Sequence, residues 1–441
     1  MAALVVGYDA TRLFLGPLSL TPRGIDRIEL EYARHFFRHA SADCLAVLPT
    51  PWGIRCYSRE RALRGLDRLE QLWPECLDLQ RDEVWLALKG HLEGTPQGRA
   101  PQAARDSFAM RAQRMASLLK ATGIGLGGDV SSTLPEQAIY LNIGQISLAI
   151  PLLLRWLQRR TDIRPVFMLH DVIPLETPEY VEPAGVRGHA RMIEHTARYA
   201  AGLVVTTQAA KAAVCAALAE RDAPALPMLA LPFPVPSAFR DVNTDLPPLT
   251  SKPYFLVCGA IEPRKNHLLL LEVWKRLYAR MGAATPLLII VGASGWHAQF
   301  IEDRIRRTPI ASTHIHIVKG LSTAALKHMM RSATGLLMPS FIEGFGLPIV
   351  EAASLGTPVV ASDIEAHREV APDTVRLVDP IDGQGWERAI LSVLERHRGS
   401  RNGTSPSEPV DLHRSDWGSY FERLTEFMTG LERRRNPGSF T

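Results

Sequence analysis

The chain has 441 residues, 46% of them hydrophobic and 22% charged, with a formal net charge of +4. That length exceeds the size at which one core keeps growing, so two domains are expected, and the composition is that of a folded globular protein, not of a disordered or collagen-like one. The charge excess is too small to argue for nucleic acid binding, and the longest apolar run, residues 146–154, contains Pro151 and falls short of the roughly 20 residues that cross a bilayer. Five cysteines, Cys44, Cys56, Cys76, Cys215 and Cys258, lie far apart with no pair at metal or redox spacing, as expected of reduced thiols in a cytoplasmic protein. No charged leader with a cleavage site is seen, so no signal peptide is expected.

Residues 1–10 read as a buried strand, and 20–37 as a loop and helix entered through Arg23, Gly24, Ile25, Asp26 and Arg27. A single glycine there, Gly24, suits a phosphate and a plain tight turn about equally. Further strands are expected at 45–48, 138–141, 166–169 and 203–206, with helices between them, which argues for a mostly parallel sheet covered by helices. Residues 59–135 are Arg-rich and show no assignable organisation, with 123–128 (GIGLGG) reading as a mobile loop because no strand precedes it. Basic residues cluster at 55–68 and again at 99–120, where Met110, Met115, Leu118 and Leu119 interleave with Arg111 and Arg114. Such a face suits an anionic membrane surface, and a solvated helix is the plainer alternative.

His170 and Asp171 follow the apolar run 166–169, at the carboxyl end of a parallel strand, where ligands of open sheets bind. Pro174 and Pro178 would fix the loop, making His170 a candidate site residue beside the alternative of a local hydrogen bond. Residues 231–253 carry six prolines and read as a linker. A second alternation then begins, with strands at 254–258, 287–291, 314–318, 336–338, 358–361 and 375–378 and helices at 267–280, 300–307, 323–332 and from Trp386. Two doubly wound domains, 1–245 and 250–398, are therefore expected to make a cleft. Residues 396–409 are polar and rich in glycine and serine, as a disordered segment would be. A last helix, 411–431, aligns Trp417, Tyr420, Phe421, Leu424 and Phe427 and is expected to pack back across the domains.

Two stretches of the second half carry chemistry. The turn GAIEPRKNH places Gly259, Arg264 and Lys265 where basic side chains meet a diphosphate. Residues 336–362, LLMPSFIEGFGLPIVEAASLGTPVVAS, read as strand, glycine loop and helix. There Gly344 and Gly346 precede a helix opened by Leu347 and Pro348. The N–H groups of Phe345, Gly346 and Leu347 at the helix start favour an anion or a polyol oxygen, and Glu343 and Glu351 flank them. A single Glu is most often an ordinary loop or helix acid; the arrangement as a whole points to a site.

These residues carry a resemblance. Residues 254–378 resemble the nucleotide-sugar domain of retaining GT-B glycosyltransferases of glycosyltransferase family 4, most closely bacterial mannosyl- and rhamnosyltransferases of surface polysaccharide synthesis. The likeness rests on EPRKNH and on PSFIEGFGLPIVEAASLGTPVVAS, more weakly on RGIDR and HDVIPLETPEY, and does not cover 59–135. It implies an α/β GT-B fold of two Rossmann-like domains facing across a cleft. It further implies that Glu351 accepts hydrogen bonds from the ribose hydroxyls. Glu343 would face the transferred sugar, with the N–H groups of Phe345, Gly346 and Leu347 at its hydroxyls and the diphosphate. Lys265 and Arg264 would hold the diphosphate as it leaves, His170 would reach the sugar, and Gly24 would let the first loop close on the phosphate.

Chemistry without a metal or other cofactor is implied, in keeping with a chain that has no Asp-x-Asp triplet. The leaving phosphate, not a protein base, would take the acceptor proton. The implied donor is a GDP-, UDP- or dTDP-sugar carrying a hexose or deoxyhexose, mannose favoured, its base read by backbone near 318–321. The implied acceptor is a glycan or lipid-linked glycan, and the setting is the cytoplasm or the inner face of the cytoplasmic membrane. Ala260 stands where many relatives have Arg after the aligned Gly259, and the first loop has one glycine where others have two. The competing readings are a non-catalytic nucleotide-sugar-binding partner with a GT-B fold and, more weakly, a sugar-nucleotide epimerase.

Overall fold

The short apolar runs resolve into two sheets with helices on their faces. The computed structural model describes residues 4–15, 23–40, 42–73, 79–94, 108–123, 127–240, 248–400 and 416–431. Its contacts divide the chain into two units, Met1–Pro74, Asp106–Pro234 and Ser415–Thr441 in one, and Glu75–Arg105 and Val235–Arg414 in the other.

The first unit holds an eight-stranded sheet of β1 (Val5–Asp9), β2 (Asp43–Thr50), β3 (Gly53–Tyr57), β4 (Gly128–Asp129), β5 (Ile139–Asn142), β6 (Arg164–Leu169), β7 (Gly202–Val205) and β8 (Met228–Ala230). Their order is β4-β3-β2-β1-β5-β6-β7-β8, parallel from β2 to β8, with β3 pairing antiparallel to β2 and β4. The central strands β5 and β7 are buried along their whole length and β6 from Pro165 onward, as apolar runs in a sheet covered on both faces should be. Helix Trp417–Gly430 belongs to this unit. Its Tyr420 hydroxyl meets that of Tyr32 at 2.6 Å, and its Phe421 ring stacks on His35 at 3.8 Å.

The second unit holds six parallel strands, β9 (Tyr254–Cys258), β10 (Leu287–Val291), β11 (Ile315–Val318), β12 (Gly335–Met338), β13 (Val359–Ser362) and β14 (Arg376–Val378), in the order β11-β10-β9-β12-β13-β14. The chain steps outward from β9 to β11 and then returns to the other side of β9. The switch point therefore lies between β9 and β12, whose carboxyl ends are where an open sheet binds its ligand. Helices His267–Met281 and Gly383–Ser400 cover one face, burying Leu270, Trp274, Leu277, Trp386, Ile390 and Leu394 in one core with Phe255 and Ile290.

The expected boundary at 245 differs from this division in two respects. The second unit begins at Val235, and it also takes in residues 75–105 from the middle of the first half. Helix Glu83–Leu92 buries Val84, Trp85 and Leu88, and Trp85 meets His328 edge-on at 5.2 Å. Helices Arg59–Leu72, Phe108–Thr122 and Val130–Thr133 of the same region stay in the first unit. Residues 396–400 continue helix Gly383–Ser400 instead of opening a disordered segment, while 401–409 lie outside the described residues. So do 124–126 of the glycine-rich loop, 241–247 of the linker and 411–415 ahead of the last helix. No described helix is long and apolar enough to cross a membrane.

One buried acid in the first unit has no counterpart among the sequence expectations. Glu29 is 0% exposed, and among the described residues neither of its carboxyl oxygens has a hydrogen-bond partner. Burial pushes its carboxyl well above the ordinary range, with Arg12 pulling it back and Asp26 and Asp9 adding to the rise. In the unfolded chain the group ionises near about 4.3, whereas the folded group holds its proton to higher pH. Across that window rising pH ionises only the unfolded state and so lowers stability. Glu29→Gln removes this penalty. Its melting temperature relative to wild type should rise progressively from pH 4 to pH 8, and a difference that does not vary with pH would show that Glu29 does not titrate there.

Candidate active site

The residues of the second unit meet at the switch point. β9 ends at Cys258 and runs into Gly259, whose φ of +147° is a conformation that L side chains rarely adopt. Gly292, after β10, lies so close that a Cβ there would sit 1.7 Å from the Gly259 carbonyl oxygen. The glycine after the second strand thus serves the backbone of the first.

Beyond Gly259 the chain makes a 3-10 turn, Pro263–Lys265, closed by Asn266 in the left-handed region at φ 54°. The Asn266 amide donates to the carbonyls of Pro339 at 3.1 Å and Pro380 at 2.9 Å, tying the basic turn to the segments that follow β12 and β14. The Phe341 N–H donates to the Arg264 carbonyl at 2.8 Å, a second tie to the same loop.

These ties bring three expected residues together. Glu343 receives Lys265 Nζ and, at 2.7 Å, Ser340 Oγ on one oxygen, and Arg264 Nη1 at 2.9 Å on the other. Arg264 also pairs with Glu262 at 2.6 Å. The Glu343 side chain is 8% exposed and that of Lys265 12%. Burial alone would raise the Glu343 carboxyl, but the charges of Lys265, Arg264 and His367 outweigh it and hold the group well below the usual carboxylate range. Burial pulls the Lys265 ammonium down, against the opposing pull of Glu343. The carboxylate is therefore ionised, and its two cations sit on the turn that follows β9, at the switch point.

Helix Leu347–Ser354 starts next to this cluster, with Gly346 as its N-cap at φ +93° and Pro348 in the first turn. Gly344 and Leu347 are half-buried, Phe345 is buried, and Glu351 lies one turn inside the helix at 1% exposure. An exposed helix acid is thereby excluded for Glu351. His367, absent from the sequence expectations, is 0% exposed; its Nδ1–H donates to the Ser362 carbonyl at 2.9 Å. Its ring lies against Gly346, where a Cβ would come within 3.0 Å of it. Only a histidine five residues past β13 marks this in sequence, a signal too weak to read.

The candidates of the first half lie in the other unit. His170 follows β6, and its Nε2–H donates to the Ile143 carbonyl at 3.0 Å, which is the local role weighed against a site role. Burial lowers its pKa to about 4, Asp171 opposing and Arg12 adding to the shift, so the ring is neutral at pH 7 with Nδ1 as an acceptor. Gly24 opens helix Gly24–Arg34 without a positive φ. Asp26 holds that turn, accepting from the Arg23 N–H at 2.8 Å and from Arg12 Nε at 2.9 Å.

Solved structures place this architecture in a class. Over 97% of the chain the fold matches sucrose-phosphate synthase of Thermosynechococcus elongatus, with a TM-score of 0.58, 16% identity and 99% of that chain covered. It equally matches Anabaena HepE in complex with UDP-glucose, with a TM-score of 0.59, 13% identity and 100% coverage of that chain. The protein has the GT-B glycosyltransferase fold. Within it, residues 242–404 match the model of the glycosyl transferases group 1 family.

Curated relatives agree. The serotype-specific mannosyltransferase WbdA of Escherichia coli is 27% identical over 220 residues, 47% of this chain and 27% of its own length. The O-antigen chain mannosyltransferase B of Escherichia coli is 34% identical over 142 residues, 32% of this chain and 37% of its own. The phosphatidyl-myo-inositol mannosyltransferase of Mycolicibacterium smegmatis is 33% identical over 176 residues, 38% of this chain and 43% of its own. The chain thus spans less than half the length of each of these relatives.

The packing at Gly292 predicts the effect of one methyl group. Gly292→Ala must push the Gly259 carbonyl aside and should cost about 1–3 kcal/mol of unfolding free energy, the usual range for overpacking. Urea melts of the full chain measure it, and an unchanged midpoint would contradict the close approach.

Proposed function

We propose that the protein is a retaining glycosyltransferase that moves a hexose or deoxyhexose, mannose first, from a nucleotide-diphosphate sugar to a glycan or lipid-linked acceptor in polysaccharide synthesis. The observation that carries this reading is the Glu343 carboxylate, held by Lys265, Arg264 and Ser340 beside the Gly346 helix start. The mannosyltransferase relatives and the group 1 domain support it.

In this reading Lys265 and Arg264 take the diphosphate, each charge-assisted bond contributing about 1.5–3 kcal/mol. They stabilise the negative charge that grows on it as the glycosidic bond breaks. Glu343 is kept ionised by the same cations and accepts hydrogen bonds from the sugar hydroxyls, fixing the ring for attack. Glu351 accepts from the ribose hydroxyls. The departing phosphate oxygen takes the proton of the acceptor hydroxyl, so configuration is retained without a protein base.

A thermal-shift panel of GDP-, UDP- and dTDP-sugars tests the donor site. One class should stabilise the protein, by about 2.7 kcal/mol at 100 times its Kd, and Glu351→Ala should abolish the shift. Stabilisation by none of them would sink the donor assignment. Because two side-chain cations serve the leaving group, turnover should persist in EDTA. Full loss that a divalent ion restores would refute the metal-independent step.

A further inference from the structure

The segment 79–94 belongs by sequence to the first half and by packing to the second unit. Its anchor is Asp82, 5% exposed. One carboxylate oxygen caps its own helix, accepting from Val84 N–H at 2.9 Å and Trp85 N–H at 3.0 Å. A helix cap needs no more than that. The other oxygen accepts from the Ser322 N–H at 2.9 Å, across 240 residues of sequence. Ser322 in turn caps helix Thr323–Ser332 through its own Oγ.

Ser322 ends the loop that leaves β11. That loop turns at Gly320, with φ +80°, and its Val318 carbonyl accepts from the Gly292 N–H at 3.0 Å. On its other side Lys319 bonds Ser294 Oγ at 2.6 Å and Glu302 at 2.7 Å. Further along the segment, His91 meets His316 of β11 edge-on at 5.3 Å. The loop is therefore clamped at both ends, once by its own unit's helix and once by a visitor from the first half.

The position of this loop gives the clamp a use. β11 lies two strands from β9, about 10 Å across a sheet with ~4.8 Å between strands. A nucleotide with its diphosphate on Lys265 and Arg264 at the switch point, and lying along the carboxyl edge of the sheet, brings its base to the β11 loop. We infer that the segment 79–94 is a strap that shapes the nucleobase end of the donor site, with Asp82 as the positioning residue that holds the backbone 318–322 against the base. This rests on the proposed nucleotide-sugar donor and adds to it the element that sets base selectivity. Asp82 acts through the loop and does not touch the ligand.

The test is calorimetric titration of the full chain with GDP, UDP, dTDP and inorganic pyrophosphate, for wild type and Asp82→Ala. The variant should bind the preferred diphosphate about tenfold more weakly and lose discrimination among the three by a similar factor, as expected for one charge-assisted bond. Pyrophosphate, which meets only the cation turn, should bind within twofold of wild type, and this also reports that the second unit is folded. Ser322→Pro is the companion variant, because the φ of −64° already suits proline. It deletes the N–H while leaving Asp82 in place. Because it also removes the Oγ cap on the Ala325 N–H, Ser322→Ala, which loses only that cap, is its control and should keep wild-type discrimination. Ser322→Pro, by contrast, should shift selectivity as Asp82→Ala does, even if Asp82→Ala fails to fold. Equal weakening of all four ligands, or unchanged discrimination in both variants, overturns the strap while leaving the donor reading intact. A wild type that binds none of the nucleotides overturns the donor reading itself.

Discussion

The second unit depends on one buried carboxylate. Glu343 pairs with Lys265 and shares Arg264 with Glu262. Without it the Lys265 ammonium loses its ion-pair partner, and an unpaired charge left behind by a broken buried pair costs about 3–5 kcal/mol. The dependence is mutual, because the same cations keep the acid ionised against its burial. A cluster of this kind is costly to assemble and rigid once made. The rigidity suits a reaction in which charge develops on a leaving group, because the stabilising dipoles and charges need not reorganise when the bond breaks.

The neighbouring contacts read as supports for that cluster. Asn266 in its left-handed turn reaches two carbonyls, Phe341 returns a backbone bond to Arg264, and Gly292 makes room for the carbonyl that lets Gly259 turn. His367 plays the equivalent part under Gly346, so the glycine there answers both to its positive φ and to a ring against its Cα. These supports lie on the carboxyl side of β9 and its neighbours, where the strand order reverses and the sheet opens.

The second unit was largely legible because most of its strands are short apolar runs, and because Gly259 after β9 and Gly346 and Pro348 at the helix start are residues with one steric meaning. Arg264, Lys265 and Glu343 could be grouped because two motifs carried them, but that they pair with each other is a fact of tertiary structure. Glu351 could be placed one turn into its helix, whereas its burial could not be inferred from eight residues of mixed pattern. The region 59–135 resisted reading for a different reason. Its helices are ordinary amphipathic segments, and nothing in the periodicity of residues 83–92 states that their apolar side joins a core whose first strand begins only at Tyr254. Glu29 was invisible too, because a charged residue inside a helix is normally a solvated one.

The route of the chain bears on how the molecule is made. It changes unit at 74/75, 105/106, 234/235 and 414/415, so neither unit is a continuous stretch of sequence. During synthesis the second unit holds all its described strands and helices once residue 400 has emerged, while the first still lacks helix Trp417–Gly430. Until that helix arrives, the Tyr32 and His35 rings it covers stay without their partners Tyr420 and Phe421. The half that starts the chain is thus the later to be completed, and the interval between the two events is when nascent chains have apolar aromatic surface to hide.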